Sequence, residues 1–146
     1  MKKIIALFIL MVVAITGCGS NTTSKTSEEA RNFPVKWANA MVQRDDKTRD
    51  SMIIKKTSAL NPVNKKKNSL IIRNYELIEW KDSATHYYYR ISYVDPTDNK
   101  KRVEDMEIEE TKEGWKKPDF SSLRNLDETI AKKNLKEVIV REWDDK

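Results

Sequence analysis

Cysteine occurs once in this chain, at Cys18, histidine once, at His86, and glycine only three times in 146 residues. One thiol cannot close an intramolecular disulfide or supply a CxxC pair. One imidazole leaves no HxH or HExxH motif, so neither a metal site nor a cofactor is expected. Gly17 and Gly19 flank Cys18, which leaves Gly114 for the rest of the chain and no glycine-rich loop to cradle a phosphate. His86 sits beside Tyr87, Tyr88 and Tyr89 with no nucleophile elbow or triad signature around it. It is expected to be a strand residue, and no catalytic residue is assigned. Charge of one sign is also modest. The formal net charge of +5 falls by two, to +3, if Lys2 and Lys3 are removed with a leader, too little to name a partner. Lys55-Lys56, Lys65-Lys66-Lys67 and Lys132-Lys133 lie in separate segments without a binding motif. They read as solvated surface, and no nucleic-acid partner is expected.

What the chain does contain begins at its N-terminus. Lys2 and Lys3 precede an apolar run from Ile4 to Ile15, the charged and apolar regions of a signal peptide. The run is short of the roughly 20 residues needed to cross a bilayer. It ends in Ile15-Thr16-Gly17-Cys18, which resembles the lipobox of bacterial lipoproteins. That resemblance implies cleavage after Gly17 and lipidation of Cys18, with a diacylglyceryl group on sulfur and an N-acyl chain on the freed amine. Two or more acyl chains suffice for stable anchoring where one binds marginally. The expected organisation is therefore residues 1–17 as signal, 18–30 as lipidated cysteine and flexible tether, and 31–146 as a single α+β domain. The tether reading rests on Gly19 to Ser27, which carry no apolar side chain to bury.

Within the domain, Phe33, Trp37, Ala40 and Met41 recur at helical spacing, with Pro34 expected in the first turn. A shorter helix from Thr48 to Ile54 should follow. The period then shifts toward two. Leu70 to Trp80 reads as a strand with a bulge. Ala84 to Val94 places Tyr87, Tyr89, Ile91 and Tyr93 on one face and His86, Tyr88, Arg90 and Ser92 on the other. Met106 and Ile108 oppose Glu107 and Glu109 in a third strand, and Glu113-Gly114 turns into Trp115-Lys116-Lys117. The four runs predict an antiparallel meander whose single buried face is covered by the Phe33 helix. Asn125 and Glu128 have capping-box spacing ahead of a helix with Leu126 and Ile130 on one face. Val138-Ile139-Val140 favours a strand, although Leu135, Val138, Ile139 and Trp143 also fit helical spacing.

Several groups could carry function. The tyrosine stripe opposite Trp37 could line a cone that holds a small apolar ligand, but such stripes are more often core. Asp45, Asp46 and Asp50 read as a wet helix connection rather than proton-transfer groups. The acidic run Glu104, Asp105, Glu107, Glu109 and Glu110 faces Arg90, Lys116 and Lys117, which is better read as cross-strand charge matching than as a docking face.

Taken together, the lipobox, the Ser/Thr segment, Phe33-Pro34-Val35-Lys36-Trp37-Ala38, the strand Tyr87 to Tyr93 and the Glu113-Gly114-Trp115-Lys116 hairpin resemble the cystatin-like-fold lipoproteins of Gram-positive bacteria. Within these the chain is similar to the exclusion lipoproteins of integrative and conjugative elements. The resemblance implies a cone-shaped helix-on-sheet fold anchored on the extracytoplasmic face of the cell membrane. It also implies a non-enzymatic role in which a cell already carrying the element blocks redundant conjugation, by contact with a membrane protein of the donor's conjugation channel. It assigns no residues to that contact.

Overall fold

The computed structural model describes residues 21–60 and 67–143. The signal segment, Cys18 and residues 61–66 lie outside the described residues. Helix α1 spans Asn21–Gln43 and a one-and-a-half-turn helix α2 spans Asp46–Ser51. Strands β1 (Tyr75–Lys81), β2 (His86–Asp95), β3 (Lys100–Thr111) and β4 (Gly114–Lys116) follow in succession. Helix α3 (Leu126–Lys133) and strand β5 (Glu137–Arg141) close the chain. The strands form one five-stranded antiparallel sheet in the order β4-β3-β2-β1-β5. The fold is thus α+β, an N-terminal helix packed against a five-stranded antiparallel sheet.

The register follows from the alternation in β2. Tyr87, Tyr89, Ile91 and Tyr93 face α1 and join Phe33, Trp37, Met106 and Ile108 in the principal core. Their β1 partners Lys81, Glu79, Leu77 and Tyr75 share that face, as do Ile108, Met106, Glu104 and Arg102 of β3. Gly114, with φ of 93°, takes the left-handed position that turns β3 into β4.

Four expectations are corrected. Helix α1 begins at Asn21, inside the segment assigned to a coil. No glycine or proline interrupts it before Pro34, Ser and Thr cost only up to about 0.7 kcal/mol each relative to Ala, and Ala30 is fully buried against the sheet. Pro34 accordingly lies in mid-helix, not in the first turn. It forfeits the bond to the Ala30 carbonyl, but its ring is buried in the helix–sheet interface.

Second, the leading part of the Leu70 to Trp80 run is not strand. Leu70 and Ile71 are exposed, and the backbone there is tied to α1 instead, with the Asn68 amide donating to the Gln43 carbonyl at 3.2 Å and the Ile72 amide to Asn39 Oδ1 at 2.9 Å. The irregularity expected in this run falls at Leu77/Ile78, in the pairing with β5 only. Similarly α2 starts at Asp46, because Asp45 caps it by accepting from the Thr48 amide at 3.1 Å.

Third, the sheet has two covered faces. Trp80 and Tyr88 are buried beneath Leu126 of α3, with Ile78, Ile130 and Leu135 around them. Strand β5 answers the strand expected at Val138-Ile139-Val140, and it pairs with β1, about 60 positions earlier in the chain, a partner that no local pattern could reveal. Fourth, Asn125 does not cap α3 with its side chain. It adopts φ 61°, ψ 37°, and its carbonyl accepts from the Thr129 amide and hydroxyl.

Candidate functional site

The residues that a ligand-holding cone would line are packed as core. Trp37 and Tyr89 have no exposed surface, and Tyr87 stacks on Tyr89 with ring centroids 6.1 Å apart. Tyr93 of the stripe reaches a surface cleft. His86 lies on the opposite face with both ring nitrogens engaged, Nδ1 with Asp82 at 2.8 Å and Nε2 with Glu107 at 2.6 Å. Its ring sits edge-on to Tyr88, and Lys133 of α3 donates to Asp82 at 2.6 Å. This is a clasp holding α3 to the sheet, with no nitrogen left to serve a substrate.

The acidic run divides by strand face. Asp105 receives a two-bonded fork from Arg90 at 2.7 and 2.8 Å, the expected cross-strand matching, and this partner raises the Arg90 pKa. Glu104, one position away, points the other way and is buried under α1. There Trp37 Nε1 donates to Glu104 Oε1 at 2.5 Å and Lys117 Nζ donates to the same oxygen at 3.2 Å. The Lys117 ammonium also lies 4.2 Å over the Trp37 ring, close enough for a cation–π attraction. Burial pulls the Lys117 pKa down, and the neighbouring Glu104 carboxylate opposes that pull. A matching contact ties the other half of α1. Glu79 accepts from Arg31 at 2.9 and 3.0 Å and from the Tyr89 hydroxyl at 2.7 Å, and burial pushes the Tyr89 phenol well above its ordinary range. Sequence periodicity carried the signal for both glutamates: Glu104 is in phase with Met106 and Ile108, and Glu79 with Leu77.

Asp46 corrects the wet reading of the Asp45 to Asp50 stretch, being 1% exposed and ion-paired to Arg49. The Arg49 guanidinium is stacked 5.5 Å above the Phe120 ring, and burial lowers its pKa. These contacts fix Phe120 against Trp37, ring centroids 6.0 Å apart.

A cleft of about 430 Å³ opens beside this cluster, at the C-terminal end of α1. Met41, Val42, Val103 and Phe120 give it apolar walls, and Tyr93, Asp95, Arg102 and Glu104 give it polar groups. Tyr93 is 4% exposed and Glu104 9%. Burial, with the Glu104 and Asp95 carboxylates adding to it, pushes the Tyr93 phenol up to about 12. Arg102 is occupied by Asp98 at 2.6 Å and Asp95 at 3.5 Å. The arrangement sets polar groups beneath apolar walls.

Among the described residues no cluster of three or more His, Cys, Asp or Glu is placed to hold a metal ion, and no helix is long and apolar enough to cross a membrane. No protein-family model, curated protein or solved structure matches the chain. What fold and cleft define is a helix-on-sheet α+β protein with a recess at the end of its N-terminal helix.

Proposed function

We propose that this chain is a surface lipoprotein, anchored through Cys18 on the extracytoplasmic face of the cell membrane. In this reading its cystatin-like domain acts by protein contact and without catalysis. It excludes redundant conjugative transfer of an integrative and conjugative element into a cell that already carries it, and its partner is a membrane protein of the donor's conjugation channel.

The observation that carries the reading is the sequence Ile15-Thr16-Gly17-Cys18 closing a charged-then-apolar N-terminus, together with the family resemblance. The fold is compatible with it in one geometric respect. Helix α1 has 23 residues, about 34 Å at 1.5 Å per residue, and starts three residues after Cys18. Its C-terminal end, with the cleft and the exposed Leu70, Ile71 and Val94, is therefore separated from the anchor by the length of a domain.

The test expresses the chain in recipient cells that lack the element and counts transconjugants. Transfer should drop severalfold or more relative to an empty recipient. An unchanged frequency at verified surface expression would end the exclusion reading.

A further inference from the structure

The described residues include three methionines, Met41, Met52 and Met106, and they differ in access. Met52 is 4% exposed and Met106 0%, both within the principal core. Met41 is only partly buried, packs on that core from its margin and forms an apolar wall of the cleft at the end of α1. Access decides which thioether an external oxidant meets.

The contact made by the Met41 sulfur points the same way. Arg49 Nη1 donates to Met41 Sδ at 2.9 Å, although a thioether is a weak acceptor. The Arg49 side chain is buried, and among the described residues its donors find one strong acceptor, Asp46, which takes a bond from Nη2. Arg49 Nε has no partner. The Phe120 ring lies 5.5 Å from the guanidinium, and Asp45 and Glu104 attract it through space. A buried cation with more N–H groups than acceptors is stabilised by a further oxygen. The sulfur it already contacts is an atom that can carry one.

We propose that Met41 is a modification site, oxidised to the sulfoxide by hydrogen peroxide, with Arg49 donating to the added oxygen. A sulfur lone pair attacks one peroxide oxygen. The S–O bond forms as the O–O bond breaks, sulfur gives up two electrons, and the departing hydroxide takes the proton of the transferred oxygen and leaves as water. In a core without a partner for it, a sulfoxide disrupts packing. Here a charged donor is in contact with the sulfur and the residue borders an open cleft. Oxidation therefore turns one apolar wall of the cleft polar and leaves the fold in place.

The full chain, purified in detergent, is exposed to hydrogen peroxide, and sulfoxide at Met41, Met52 and Met106 is followed by peptide mass spectrometry. Unfolding midpoints in urea are read before and after. Met41 should convert about tenfold faster than the other two, and the chain oxidised there should keep or raise its midpoint. Met41→Gln offers Arg49 an amide oxygen in place of the sulfoxide, whereas Met41→Leu offers no acceptor, so the Gln variant should have the higher midpoint. In Arg49→Gln, oxidation of Met41 should lower the midpoint. Should that variant fail to fold, the Met41→Gln and Met41→Leu pair decides. Conversion of Met41 no faster than that of the core methionines, a midpoint lowered by oxidation in the native chain, or Met41→Gln less stable than Met41→Leu overturns the proposal. None of these readouts uses conjugation, so the site and the exclusion reading stand or fall separately.

Discussion

Arg31 and Glu79, 48 residues apart in the chain, meet in a two-bonded fork at 2.9 and 3.0 Å across the interface between α1 and the sheet. Trp37, six residues further along α1, makes a single bond to Glu104. Two carboxylates on the core face of the sheet thereby set the rotation and translation of the helix above it, which apolar packing alone would fix less sharply.

Glu79→Ala should cost about 3 kcal/mol of unfolding free energy, because it leaves the fully buried Tyr89 hydroxyl without its acceptor and removes the ion pair. Arg31→Ala should cost less, about 1 kcal/mol, since the Arg31 side chain is 43% exposed and water replaces part of the loss. Urea denaturation of the two variants checks the order. Equal costs would show that the Tyr89 bond is not the larger contribution.

Trp37→Phe keeps an aromatic ring in the core but deletes the donor to Glu104, and a loss of about 2 kcal/mol is expected. Trp37→Ala adds a cavity and should cost about 3–5 kcal/mol. The same denaturation series tests both, and a neutral Trp37→Phe would show that the indole bond contributes little.

Alkaline pH should destabilise the fold. An unfolded tyrosine ionises near its ordinary 10.0, whereas the folded Tyr93 holds its proton to about 12, mainly through burial. A raised folded pKa contributes stability that is present below pH 10.0 and is lost as pH rises toward about 12. The Tyr89 phenol, raised further by burial, acts in the same direction. Denaturation midpoints measured from pH 8 upward should fall beyond pH 10, and the fall should shrink in Tyr93→Phe.

At the acid end the group to follow is Asp45. The Lys67 ammonium at 2.6 Å, with the Thr48 bonds added, holds its carboxyl down at about 2 against an ordinary 3.8. A lowered folded pKa contributes stability that is present above 3.8 and is lost as pH falls through about 2. Asp45→Asn retains a cap acceptor and Asp45→Ala does not. The Ala variant should lose about 1 kcal/mol at neutral pH, and both should show a shallower acid limb in pH-dependent denaturation.

Cys18→Ala should leave the chain unprocessed or release it from the membrane fraction, with exclusion weakened through lost local concentration. Fractionation, mass spectrometry of the N-terminal peptide and the conjugation assay check this together. An intact thiol without lipid in the purified native protein would remove the anchoring premise.

The parts of the fold that were legible in the chain are those where a local period meets a single buried face. The alternation in β2 put Tyr87, Tyr89, Ile91 and Tyr93 on the α1 side, and the structure has them there. Leu126 and Ile130, placed on one helix face by spacing, both reach the second core cluster. Charge obscured the rest. Glu79, Glu104 and Lys117 carry polar side chains at buried positions, and a reading based on hydropathy sends such residues to solvent even when their phase says otherwise. Tyr93 was assigned to the stripe, and the cleft it lines is built with residues of α1 and the Phe120 segment that lie far from it in the chain.

The sequence by itself determined the strand faces, the helix that covers one of them and the address-like N-terminus, because side-chain period and motif spacing are properties of neighbouring residues. Tertiary structure alone decided which charges are buried together, that β5 completes the sheet beside β1, and that Glu104 and Tyr93 share a recess. Those relationships join residues tens of positions apart, and hydrogen bonding in a desolvated site depends on where the chain brings them, not on their order within it.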